Sequence, residues 1–138
     1  MAASIRNLML ADTRNEIKLA MKEVAIELAR TAHNQTRIQA YDAKKEMYQA
    51  QRDAIDAKVN VAEAMREGST GNELQLLVNL ANSKVAELLE ATRTCAVVEK
   101  KNNAAARCYD RAFDELQVAQ VDRNISTRKL SDAINNLP

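Results

Sequence analysis

Only one place in this chain can break a helix. The sequence holds two glycines, both within Gly68-Ser69-Thr70-Gly71, and a single proline, Pro138, which is the last residue. These are the two residue types that cost a helix interior most, about 1 kcal/mol for Gly and about 3 for Pro relative to Ala. The chain has 138 residues, and those on the two sides of that turn are therefore expected to form two long helices.

The C-terminal side carries a heptad register. Alternating fours and threes from Leu74 reach Val78, Ala81, Val85, Leu88, Thr92, Cys95, Glu99, Asn102, Ala106, Tyr109, Phe113, Leu116, Gln120, Arg123, Thr127, Leu130, Ile134 and Leu137. Thirteen of these nineteen positions are apolar or Cys, so the period of 3.5 predicts a helix whose stripe faces another helix. The helix either continues to about Leu137 or breaks near Asn124–Thr127 and restarts with Ser126 or Thr127 as cap. The weak seam at Gln120, Arg123 and Thr127 favours a kink or an end between 120 and 127.

On the N-terminal side, Thr13-Arg-Asn-Glu16 has the spacing of a capping box and predicts a helix start at Asp12 or Thr13. Residues 1–11 are then a short amphipathic segment, with Ile5, Leu8, Met9 and Leu10 available to dock elsewhere. The first long helix is expected over 12–67, with an apolar stripe of Ile17, Met21, Val24, Leu28, Ile38, Tyr41, Tyr48, Ile55, Val59, Ala62 and Met65. A polar stretch from Thr31 to Arg37 interrupts it. The turn occupies 68–71, with Gly68 as a left-handed helix cap, and Thr70-Gly-Asn-Glu73 forms a second capping box at the start of a helix over 72–138. The two boxes share a Thr-x-Asn-Glu core, which convergent capping explains at least as well as duplication.

A short connection favours antiparallel neighbours, and folding at Ser69-Thr70 pairs residues whose numbers sum to about 140. Ile55 then lies by Val85, Ala62 by Val78, Tyr48 by Thr92 and Leu28 by Phe113. The polar stretch Thr31–Arg37 falls opposite Glu99–Asn103. Unmatched buried polar groups are costly, so two coinciding interruptions are what a real hairpin should show. The expected fold is all-α: a long antiparallel, coiled-coil-like helical hairpin with a short N-terminal segment.

Composition limits the function. One Phe, three Tyr and no Trp are few for a compact globule of this length, whose core energetics large aromatics dominate. A formal charge of +1, from 20 basic and 19 acidic residues, lacks the basic surplus that phosphate neutralisation requires, so strong nucleic-acid binding is not expected. No run of 18 apolar residues marks a membrane span, and Met1–Ala11 is too short and polar for a secretory signal.

Residues with reactive side chains are sparse. His33 is the single His and has no ligand cluster around it, so no metal is expected. Cys95 and Cys108 lie about 20 Å apart along one helix, too far to pair, and read as free thiols. Cys95 is a small seam hydrophobe. Asp53 with Asp56 and Glu87 with Glu90 read as solvated helix-surface ion pairs beside Lys58, Lys84 and Arg93. Lys44-Lys45 and Lys100-Lys101 read as a solvated face with modest basic character. Gly68-Ser-Thr-Gly71 lacks the glycine spacing and the Lys of a phosphate loop. Neither an enzymatic activity nor a cofactor is expected.

Ala62-Glu-Ala-Met-Arg-Glu-Gly68-Ser-Thr70-Gly71-Asn-Glu-Leu74 resembles the small-residue turn of the internal virion proteins, or core and ejection proteins, of short-tailed podovirus-like phages. In those proteins a Gly-x-Ser-Gly type signature links two long Ala-, Gln- and Asn-rich helices, and Thr70 stands here in the place of the Ser. Asn34-Gln35 and Asn102-Asn103 are similar in character, and the likeness covers about residues 30–120. It implies a homo-oligomer packaged in the capsid core near the portal, with other internal virion proteins as partners. It also implies exit with the genome and contact with the host envelope. Larger relatives carry an apolar Gly/Ala-rich N-terminal stretch where this chain has only Ile5 to Leu10, which favours a scaffold or ring role over membrane insertion. The alternative is a coiled-coil adaptor or export chaperone, a stalk-like hairpin of a secretion or tail-assembly system.

Overall fold

The computed structural model describes Ala2–Pro138, with side chains from Ser4 onward. It contains two helices, α1 (Ala2–Arg66) and α2 (Asn72–Asn135), which pack against each other as an antiparallel hairpin; no strand occurs among the described residues. The pair divides into two compact units. The terminal unit joins the described residues up to Asn34 to Ala104–Pro138, and the turn-bearing unit spans Gln35–Asn103.

The turn closes as its glycines dictate. Gly68 has φ +83°, its N–H donates to the Met65 carbonyl (3.1 Å), and the Ser69 N–H reaches back to Ala64 (2.9 Å). This is the left-handed C-cap that satisfies the last carbonyls of a helix. Gly71 (φ +72°) accepts the first bond of α2, from Gln75 N–H at 3.1 Å. Gly71 is therefore the N-cap residue, and Thr70 stands one place outside it. The first bond of α2 falls one residue later than the expected Thr70 cap, on Gly71, which has no side chain with which to form a capping box.

The seam of the turn-bearing unit sets mainly small residues of α1 against larger ones of α2. On α1 it runs Thr36, Ala40, Ala43, Met47, Ala50, Ala54, Ala57, Val61, Ala64, in threes and fours with no slip. On α2 it runs Leu74, Leu77, Ala81, Lys84, Leu88, Ala91, Cys95, Val98, Asn102. Ala43, Ala54, Ala57, Ala64, Ala81 and Cys95 are the buried members. Alanine at these positions lets two backbones approach closely, so side chains larger than Cys have no room at the tightest layers. The expected polar layer is present, with the Thr36 hydroxyl donating to the Asn102 amide oxygen at 3.1 Å.

The terminal unit has the same spacing with larger and more polar members. Ile5, Leu8, Asp12, Asn15, Leu19, Lys22, Ile26, Ala29 and His33 line α1. Facing them on α2 are Ala105, Tyr109, Ala112, Leu116, Ala119, Arg123, Ser126, Leu130 and Ala133. Ile26 and Ala119 are buried, and so are Asp12 and Ser126.

Four sequence expectations change. Residues 2–11 are not a separate segment but the first turns of α1, so Thr13 and Glu16 lie inside a helix and cap nothing; Met1 lies outside the described residues. Ile5 and Leu8 are seam residues of the hairpin, while Met9 and Leu10 stay exposed. The second helix does not end between 120 and 127 but runs on to Asn135, and Arg123, Ser126 and Thr127 meet Asp12 of α1. The large apolar stripe of α1 is not the seam: Ile17, Met21, Val24, Leu28, Ile38, Tyr41, Tyr48, Ile55, Val59 and Met65 are all exposed. That stripe slips in phase between Leu28 and Tyr41, so no straight partner can follow it, whereas the small-residue line never slips.

The α2 register is half as expected. Leu74, Ala81, Leu88, Cys95, Asn102, Tyr109, Leu116, Arg123 and Leu130 are seam residues. The alternate set is centred one residue earlier, at Leu77, Ala91, Val98, Ala105, Ala112, Ala119, Ser126 and Ala133; the expected Val78, Val85, Glu99 and Ala106 are half-buried beside it, while Thr92, Phe113, Gln120, Thr127 and Ile134 are exposed. The pairs Tyr48–Thr92 and Leu28–Phe113 therefore do not face each other, nor do Ile55 and Ala62 enter the seam.

Candidate interaction surfaces

The densest polar constellation lies in the seam of the terminal unit. The Asp12 carboxylate accepts from Ser126 Oγ at 2.6 Å and Thr127 Oγ1 at 2.9 Å, and pairs with Arg123 Nε at 3.1 Å. Arg123 Nη1 also reaches Glu16 at 3.4 Å, and the Asn15 amide donates to the Asp122 carbonyl at 3.3 Å. The hydrogen bond from Ser126 holds the Asp12 carboxyl below its ordinary value; Thr127 and Arg123 act in the same direction and desolvation opposes them. None of the described buried side-chain N or O atoms lacks a partner. Such a layer holds two helices in one register, because a slip would strand the carboxylate without donors.

Farther along the same unit, Lys22 Nζ pairs with Glu115 Oε2 at 2.9 Å, which holds the Glu115 carboxyl below its ordinary value. His33 lies beside Tyr109, ring centroids 6.1 Å apart, and the Arg30 guanidinium sits 5.9 Å from the centre of that ring. The single His is thus part of an aromatic and cationic layer of the seam. In the turn-bearing unit, Lys44 pairs with Glu99 at 3.4 Å, which draws it out of the basic patch expected around Lys44-Lys45 and Lys100-Lys101. Lys84 pairs with Glu87 at 3.3 Å along the helix surface.

Among the described residues no group of three or more His, Cys, Asp or Glu is placed to hold a metal ion, and no helix is long and apolar enough to cross a membrane. Cys95 is buried and Cys108 exposed, both as free thiols. The concavities are open grooves along the helix pair, one of them lined by Lys18, Lys22, Asp114, Glu115, Val118 and Ala119.

What the hairpin does present is apolar surface. In the terminal unit, Ile17 (57 % exposed), Met21 (66 %), Val24 (61 %) and Leu28 (68 %) stand on the side of α1 turned away from α2, with Leu10 in phase before them. In the turn-bearing unit, Ile38, Tyr41, Tyr48, Ile55, Val59 and Met65 are exposed on α1, and Leu76, Leu80, Leu89 and Val97 on α2. Scattered surface apolar residues are ordinary; here they recur with a helical period and form a stripe. The sequence picks out the residues of this stripe and misassigns their partner. It misses Asp12 and Ser126, although matching interruptions of the two stripes, the argument that places Thr36 by Asn102, also brings these two together.

Comparison of the chain with known protein families, with curated proteins and with solved structures finds no match in any of the three.

Proposed function

We propose that this protein is a non-enzymatic structural element that self-assembles, and that its setting is the internal core of a short-tailed phage particle. There it stacks near the portal and leaves with the genome. The observation that carries the assembly reading is the exposed apolar stripe of α1, on the side of the helix away from the seam. A hairpin with an alanine seam buries little area per residue, and further copies supply the rest. The phage setting rests on the resemblance of Ala62–Leu74 to the turn of internal virion proteins. The residues that act are then surface residues in repeated contacts, with no pocket needed.

The test is the composition of particles. Virions of the encoding phage should contain many copies of this chain, and particles that have ejected their genome should have lost them. Absence from virions, together with a stable one-to-one complex with a single secretion or tail-assembly protein, would replace this reading with the adaptor one.

A further inference from the structure

We infer that the outer face of α1 in the terminal unit, centred on Ile17, Met21, Val24 and Leu28, is a seam for a second copy of this chain, docked antiparallel on the same face. The inference rests on the self-assembly proposed above and names its surface. The four residues alternate by four, three and four, which is a heptad seam in its own right and lies on the side of the helix turned away from α2. Exposed alanines flank it at Ala20 and Ala25, so a second backbone can come close.

The ends of the stripe choose the direction. Its next positions are Arg14 on one side and Thr31 on the other, both exposed. A parallel, in-register partner would stack Arg14 on Arg14 inside the contact. An antiparallel partner can be set so that Ile17 meets Leu28, Met21 meets Val24, and Arg14 meets Thr31. Four apolar layers then lie between two polar ones, and the two arginines are far apart. The face is thereby self-complementary, as a two-fold contact requires. It also needs no rearrangement of the hairpin, since none of these side chains is used in the seam with α2.

Disulfide trapping tests both the surface and the direction. Ile17→Cys and Leu28→Cys are made separately in full-length protein with Cys108→Ser, which removes the exposed native thiol. In the antiparallel arrangement two copies of residue 17 lie about 16 Å apart, too far for a disulfide. Mild oxidation of an equal mixture should therefore give the mixed dimer, and either variant alone should give little. Dimers formed by each variant alone would overturn the antiparallel arrangement. A second variant, Val24→Glu, should turn the assembly into monomer with unchanged helical circular dichroism. If Val24→Glu stays assembled and the mixture does not cross-link, this surface is wrong while self-assembly stands. If unmodified protein is monomeric throughout the micromolar range, or associates only with vesicles or a different protein, both readings fall.

Discussion

Asp12 and Ser126 show how a polar residue can specify a helix pair. The carboxylate, the two hydroxyls and Arg123 are mutually satisfied, so the layer is tolerated in the seam; a one-sided change is not. Ser126→Ala removes the nearest of three donors to the Asp12 carboxylate oxygen, at 2.6 Å, and leaves Thr127 and Arg123 to hold it. Urea denaturation should show a loss of about 1 kcal/mol, the net worth of one hydrogen bond in a layer whose other donors remain. Asp12 and Glu115 both have carboxyls held below their ordinary values. The unfolded chain then binds more protons than the folded one as the pH falls through the ordinary carboxylate range, about 4 to 4.5. Their stabilisation is complete above that range and is lost as the pH drops through the lowered folded values. The thermal midpoint should therefore fall on acidification below about pH 5, and Asp12→Asn should flatten part of that fall. An unchanged pH profile in Asp12→Asn would show that the cluster is not coupled to folding.

At the scale of the elements, the two helices are set by what is absent, and their pairing by what is small. No Gly or Pro interrupts either helix, and the two glycines have the positive φ that the turn needs. Space is open around Gly68, so the cost of Gly68→Ala is conformational alone, about 1–2 kcal/mol for a left-handed L-residue. Equilibrium unfolding should show it as a shifted midpoint with an unchanged denaturant slope. Ala54 is the opposite case: it is 3 % exposed in the tightest part of the seam. Ala54→Leu should destabilise by about 1–3 kcal/mol through overpacking, although Leu is the larger hydrophobe. A stabilised variant would mean that Ala54 does not sit at a close helix contact.

The same contrast explains what could be read before the structure was in hand. Two helices, their antiparallel pairing, the turn and half of the α2 register follow from breaker residues and periodicity. The α1 seam does not, because Ala at positions 43, 50, 54, 57 and 64 carries almost no hydrophobic signal. Ile17, Met21, Tyr41 and Ile55, which carry a strong one, face outward. Asp12 reads as a helix start and Ser126 as a restart because Asp and Ser favour caps. Only the partner 114 positions away turns each into a seam residue. Of the surface now in question, every residue was visible as apolar, and what it faces was not.

At the scale of the whole molecule, the hairpin is short of core. No described side chain reaches full burial, and large apolar residues remain exposed along both helices. A chain in that position gains stability from every copy that covers it, so its thermal midpoint should rise with protein concentration. Val24→Glu should abolish that rise while leaving the low-concentration midpoint nearly where it was, since Val24 touches solvent and not α2. A concentration-independent midpoint in the unmodified protein would mean that the hairpin is self-sufficient. The claim on which the account turns is that the outward face of α1 joins copies of this chain. Sedimentation velocity of the unmodified protein and of Val24→Glu, run side by side from low to high micromolar concentration, tests it most directly. The account predicts a concentration-dependent assembly that the single substitution reduces to monomer; a monomer in both samples, or the same assembly in both, would contradict it.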